Sequence, residues 1–214
     1  MVEVMQELNT WIDEIPPLVQ PSRFGNKAFR IWFDRLCNNS ASLVEKIVGA
    51  ENFEKCKELS GYLEDSFGNS QRVDYGTGHE TTFFVFLCCL YKALVLQRSE
   101  LPATILLVFP AYLKVCRHLQ TVYWLEPAGS HGVWCLDDYQ LLPFVFGSAQ
   151  LIGNESIGPK SILNKEVVDA NSTEYMYLEA IKFICIVRVG KELYRRRKRG
   201  RCRDTVPFCI RSRR

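Results

Sequence analysis

Apolar positions recur along this chain mainly at helical spacing. Leu8, Trp11, Ile12 and Ile15 fall at i, i+3, i+4 and i+7, and Phe29, Trp32, Phe33 and Leu36 repeat the pattern. Each set lies on one face of a helix. Leu43, Ile47, Cys56, Leu59 and Leu63 continue it, with Gly49 as an interruption. Thr81 to Gln97 is apolar nearly all round, which predicts a helix buried in a multi-helix core. Leu101 to Leu125 predicts another long helix, with Pro102 suited to its first turn and Pro110 expected to kink it. Tyr175 to Arg199 reads as a last helix that turns from apolar to basic. Alternating patterns are scarce and no repeat is visible, so the fold class is all-α.

Three segments between these helices are rich in glycine, aromatic and charged residues: Pro16 to Lys27, Ser66 to Glu80 and Glu126 to Gly147. Loops of this composition on a rigid scaffold commonly carry function. Gly76, Thr77 and Gly78 immediately precede the apolar helix that begins near Thr81. A glycine-lined helix start leaves backbone N–H groups open and attracts anions, phosphate above all. Arg72 would add a cation with bidentate geometry, and Thr77 a hydroxyl. The plainer alternative is a tight turn with Thr77 capping the helix, and His79 reads as a hydrogen-bonded cap. Asp137 and Asp138 suit a hard cation such as Mg²⁺ carried on nucleotide phosphates, or simply favour a helix start. Gly132 would offer a backbone carbonyl. Trp134, Tyr139, Phe144 and Phe146 are either core residues or an apolar wall for a proline-containing peptide. In the first segment, Ser22 or Asn26 is expected to cap the next helix.

Composition sharpens this picture. The 214 residues carry 27 Lys/Arg and 24 Asp/Glu, a net +3. From Arg188 to Arg214 there are twelve basic and two acidic residues, leaving 15 basic and 22 acidic for residues 1–187. An acidic body therefore precedes a basic tail, and the overall charge does not by itself indicate a nucleic-acid partner. No signal peptide is read at Met1 to Ile15, and the longest apolar run, Phe83 to Tyr91, is too short to span a membrane. Nine cysteines without regular spacing read as reduced thiols, and three histidines show no zinc-ligand spacing. The expected location is cytoplasmic, with nuclear entry also open.

The segments PPLVQPSRFGNKAFRIW (Pro16–Trp32), SFGNSQRVDYGTGHE (Ser66–Glu80) and EPAGSHGVWCLDDYQLLPFVFG (Glu126–Gly147) closely resemble the phosphotyrosyl phosphatase activator family, also called serine/threonine protein phosphatase 2A activators. The resemblance runs in register from about residue 3 to about residue 187. It implies an all-helical fold with a core, a lid and a linker. It also implies binding of ATP and Mg²⁺ jointly with the type 2A phosphatase, whose catalytic subunit and scaffold are the expected partners, and peptidyl-prolyl cis-trans isomerase activity. Carried over, the nucleotide contacts fall on Arg72, Thr77 and Gly78, and the magnesium-associated positions on Gly132 and Asp138. A proline-containing peptide is expected near Tyr75, Trp134 and Asp137. A non-catalytic protein that docks on the phosphatase or acts like a chaperone is the alternative. Cys135 departs from the family's usual glycine, and Pro110 lies where no proline is expected. Residues 1–187 are thus read as an activator domain lacking its C-terminal part. Residues 188–214 are read as a basic non-family tail, open to interpretation as an import signal, a solvated helix end or a splicing product.

Overall fold

The computed structural model describes residues 1–21, 25–129 and 137–186. Two compact units divide it, Met1–Gln140 and Leu141–Arg214. The boundary falls inside the segment 1–187 read as one domain, and the basic tail lies outside the described residues.

In the first unit, α1 (Val2–Glu14) buries Val4, Met5, Leu8, Trp11 and Ile12, one continuous face. Ile15 ends this helix as its C-cap, because Pro16 disfavours α geometry at the residue before it. α2 (Ala28–Val48) buries Phe29, Trp32, Leu36, Leu43, Val44 and Val48, while Phe33 is only half-buried. Gly49, at φ +81°, terminates α2 where the pattern shows its interruption, and the chain continues in separate helices. These are α3 (Phe53–Cys56) and α4 (Leu59–Asp65), the latter buried through Leu59 and Leu63. The Cys56 side chain lies outside the described part.

α5 (Thr77–Lys92) buries Phe83, Phe86, Leu87 and Leu90, but Val85 and Cys88 are exposed. The expectation of a helix buried all round over Thr81–Gln97 is therefore corrected: one face lies open, and the helix ends early. Its end is a Schellman closure in which Leu94 takes the left-handed position at φ 60°. There the Val95 N–H reaches Leu90 O and the Leu94 N–H reaches Tyr91 O.

α6 runs without a break over Arg98–Val122. Thr104–Val108 forms a π turn, with the Phe109 N–H donating to Thr104 O. Pro110 has no N–H to give, and the disturbance expected there takes the form of this widened turn. Among the described residues α6 alone is long and apolar enough to cross a membrane. Its buried line, Val108, Phe109, Tyr112, Leu113, Val115, Cys116 and Leu119, gives it a place in a protein core, and it packs along α1. Two short parallel strands, β1 (Asp74–Tyr75) and β2 (Glu126–Pro127), pair Asp74 with Glu126 and Tyr75 with Pro127. Two residues are too few to leave an alternating signature in sequence.

The core beneath the loops is aromatic. Phe83 stacks on Tyr112 at 3.8 Å between ring centroids, Phe67 meets Tyr112 edge-on at 5.4 Å, and Trp32 meets Phe67 at 5.7 Å. Trp32 Nε1 donates to Leu8 O at 3.2 Å, satisfying its polar end inside the core.

The second unit comprises α7 (Leu142–Gln150), a 3₁₀ turn at Pro159–Leu163, α8 (Lys165–Asn171) and α9 over 176–186. Phe144, Ile157, Val168, Leu178, Ala180 and Ile181 form its core. Asn164 caps α8 by accepting from the Glu166 N–H, and Gln150 Oε1 accepts from Met176 N at 2.9 Å at the start of α9. The helix expected from Tyr175 is observed over 176–186; its expected basic continuation lies outside the described residues.

Candidate functional site

The site begins with a turn built on Asn69. Its Oδ1 accepts from the Gln71 and Arg72 N–H groups at 3.1 and 2.9 Å, its carbonyl accepts from Val73 N at 2.7 Å, and its own N–H donates to Asp74 O at 3.0 Å. Arg30 on α2 clamps the outside of the turn, donating to Ser70 O and Gln71 O at 3.0 Å each. Val73 is held at φ 56°, a strained value for a β-branched residue. Arg72 projects from this turn with its side chain 60% exposed, and its Nε donates to Asp74 Oδ2 at 2.7 Å. The Asp74 bond raises the guanidinium pKa, so Arg72 is a fixed cation. One guanidinium edge is thereby held in place, and the terminal nitrogens are left for another anion.

The chain next crosses β1. Glu126 N donates to Val73 O at 3.2 Å, and Ala128 N donates to Tyr75 O at 2.8 Å. Gly76 follows, so close to the second strand that a Cβ there would lie 2.7 Å from Ala128 O. Gly76 is the N-cap of α5 and supplies no capping side chain. Thr77 is the first helical residue, which corrects the expectation that it caps the helix. Gly78 is exposed, with nothing within 4 Å of where its Cβ would stand. The α5 start thus has no side-chain cap and exposes its backbone at Gly78, a setting that favours an anion. His79 is hydrogen-bonded as expected, but to the end of α4: its Nδ1 lies 2.6 Å from Asp65 O.

Tyr75 occupies a different place from the one expected. It is fully buried, and its hydroxyl lies 2.8 Å from that of Tyr112. Tyr112 in turn donates to Ser66 O at 2.7 Å, so Tyr75 donates to Tyr112. Burial holds both phenols well above their ordinary range and pushes the neighbouring Cys116 thiol up to about 12. Tyr75 therefore supports the loop from beneath and offers no surface to a peptide.

Asp137 is buried, and its Oδ1 accepts from Tyr139 N at 2.9 Å, closing a turn on itself. Asp138 is half-buried. Neither lies at a helix start, since α7 begins at Leu142. Tyr139 anchors the turn by donating to Leu125 O at 2.9 Å, beside β2. Its phenol is pushed up first by burial and then by the negative charges of Asp137, Asp138 and Glu126. Tyr139 belongs to the core of the first unit and Phe144 to that of the second; Phe146 is half-buried. Gly132, Trp134 and Cys135 lie outside the described residues, as does Ser22. Asn26 does serve the start of α2: its Oδ1 accepts from the Ala28 N–H at 3.0 Å, and the same amide pairs with both backbone groups of Leu18. Among the described residues no group of three or more His, Cys, Asp or Glu stands ready for a metal ion.

The model of the phosphotyrosyl phosphate activator (PTPA) protein family matches residues 1–196. The chain belongs to that family. Among similar proteins, the probable serine/threonine-protein phosphatase 2A activator 1 of Dictyostelium discoideum is 45% identical over 191 residues, 89% of this chain and 59% of the relative. The serine/threonine-protein phosphatase 2A activator of Drosophila melanogaster is 40% identical over 190 residues, 89% and 48% respectively. The crystal structure of the PP2A phosphatase activator Ypa1 superposes with a TM-score of 0.75 at 35% identity, covering 85% of this chain and 58% of that one. The all-helical expectation agrees with this PTPA architecture. This chain spans about half the length of the curated PTPA relatives it matches.

Asn69, Arg30 and Asp74 were not among the residues the sequence singled out. Gly68-Asn69 carries a local turn signal. Arg30 carries none, because its partner carbonyls lie 40 residues away.

Proposed function

We propose that this chain acts on a type 2A serine/threonine phosphatase, promoting the active form of its catalytic subunit on its scaffold in an ATP- and Mg²⁺-dependent manner, and that it catalyses prolyl cis-trans isomerisation. The cytoplasm is the proposed location. The observation that carries the nucleotide part is the start of α5, where Gly76 supplies no capping side chain and Gly78 is exposed, with the exposed Arg72 cation six residues earlier in the chain. These groups fit a polyphosphate. Backbone N–H groups and the Thr77 hydroxyl would meet phosphate oxygens, and the terminal guanidinium nitrogens of Arg72 would neutralise their charge. Asp138 would take an ion that arrives already bound to phosphates; Gly132, the second magnesium position the resemblance implies, lies outside the described residues. Such an ion would supply charge neutralisation between the nucleotide and its partner.

Isomerisation asks less of the protein. Rotation about an X–Pro bond has a barrier of roughly 18–20 kcal/mol, and a site lowers it by binding the twisted amide better than either planar form. Hydrogen bonds to the peptide and an apolar enclosure suffice; no nucleophile is required.

The test adds the purified chain, ATP and Mg²⁺ to inactive type 2A phosphatase and follows phosphoserine hydrolysis. The rate is expected to rise, Asp138→Ala to abolish the rise, and Arg72→Ala to weaken its ATP dependence by about tenfold or more. No activation by a folded preparation refutes the phosphatase reading. Protease-coupled isomerisation no faster than the uncatalysed peptide leaves phosphatase docking without turnover as the function.

A further inference from the structure

Arg117 and Gln120 stand three residues apart on α6 and so share a face. Each is only 7% exposed, an uncommon setting for such side chains. Arg117 Nε donates to Gln140 Oε1 across 3.4 Å, which brings the 137–140 turn onto that face, and Gln140 is 1% exposed. Gln120 Nε2, Gln120 Oε1 and Gln140 Nε2 are all buried, and none makes a hydrogen bond.

Amide groups left this way weaken the fold, and methionine of similar volume would pack there at lower cost. Polar groups kept unsatisfied in a core ask for an explanation, and reservation for a ligand is one. The vacant atoms comprise two donor nitrogens and one acceptor oxygen. Proline contributes a carbonyl but no N–H, so an X–Pro pair presents two carbonyls and one N–H, the complement of that set. In number, the Gln120 amide matches the N–H and C=O of one residue, and Gln140 Nε2 matches one further carbonyl.

We infer that Gln120 and Gln140, with Gln140 oriented by Arg117, form a main-chain binding site for a proline-containing peptide segment. The assignment rests on the prolyl-isomerase reading and gives it the peptide contacts that Tyr75 does not. Because the three atoms are covered in the free chain, binding is coupled to local opening around the 137–140 turn.

The experiment uses the full chain and two labelled tetrapeptides, one with a central Ala-Pro and one with Ala-Ala. Anisotropy is read alongside melting temperature and protease-coupled isomerisation of the Ala-Pro peptide. The wild type is expected to prefer Ala-Pro by about tenfold. Gln120→Met and Gln140→Met should each weaken Ala-Pro binding by about tenfold or more; Gln120→Met should leave the melting temperature equal or higher, whereas Gln140→Met also removes the acceptor of Arg117 Nε and should lower it. Gln120→Glu, which keeps the shape but loses the donor, should lose binding similarly and guards against a methionine variant that fails to fold. Wild-type isomerisation with unaffected variants overturns this assignment alone. A wild type that neither binds nor isomerises the peptide overturns the isomerase reading with it.

Discussion

Gly76→Ala perturbs the link between the two loops of the candidate site. In the native chain the Gly76 backbone lies against the second strand, and an added methyl would stand 2.7 Å from Ala128 O and 3.1 Å from Ala128 Cβ. Backbone cannot yield as a flexible side chain would, so β1 and β2 must separate. Overpacking of this kind costs about 1–3 kcal/mol. The two inter-strand hydrogen bonds, at 3.2 and 2.8 Å, contribute about 0.5–1.5 kcal/mol each when fully made. A combined loss of about 2–4 kcal/mol is expected, lowering the melting temperature by about 5–15 °C for a chain of this size. The control is Gly78→Ala, two residues on, where the added methyl meets open space. There alanine removes glycine's helix penalty, at most about 1 kcal/mol, and stability should rise slightly. Gly78→Ala should nonetheless weaken ATP-dependent activation, because the methyl occupies the approach of a phosphate to the helix start. Differential scanning calorimetry checks the first pair of outcomes and the phosphatase assay the second. A Gly76→Ala variant that melts within about 1 °C of wild type would refute the claim that this strand pair holds the site together.

Alkaline pH should destabilise the first unit. Cys116 is pushed up to about 12 from 9.0, and Tyr75 and Tyr112 are held well above 10.0, all three chiefly by burial. The folded state keeps these protons, so their stabilising contribution is whole below about pH 9 and is lost as pH rises through the folded values. The urea midpoint should fall above about pH 9, with part of the phenolate absorbance appearing only on unfolding; a flat midpoint to about pH 11 contradicts this. In the second unit, a Cβ at Gly147 would fall on the Tyr177 backbone nitrogen and close to its Cα. Gly147→Ala should cost about 2–4 kcal/mol, speed hydrogen exchange in the helix over 176–186, and leave amides of the first unit unchanged.

The faces of α1 and α2 were legible because one side of each helix meets the core and the other meets water, and that difference repeats every turn. The same reasoning flagged an interruption at Gly49 without giving its conformation, and it failed across Thr81–Gln97. Gly49 turns the chain through a left-handed conformation that periodicity does not register, and Leu94 does so without even a glycine to announce it. The open face of α5 does not follow from periodicity, because apolar composition states what a helix can bury, not what is present to cover it. At the site, Arg72 in the Asn69 turn and Thr77-Gly78 at the start of α5 lie in one short glycine-rich stretch, so one window of sequence shows them all. Tyr75, inside that stretch, was misread because its direction depends on Tyr112, 37 residues later.

By itself the sequence determined an all-helical chain, the two main amphipathic faces and the motif segments that mark the PTPA family. These are local properties, set by spacing, glycine content and residue order over short stretches. Tertiary structure alone decided that Tyr75 points inward and that Arg30 clamps a distant turn. It also decided that β1 pairs with β2, and that the Gln120 amide and Gln140 Nε2 are buried without hydrogen-bond partners. Those outcomes depend on which remote groups share a small volume once water has been expelled, and no short window of sequence holds both members of such a pair.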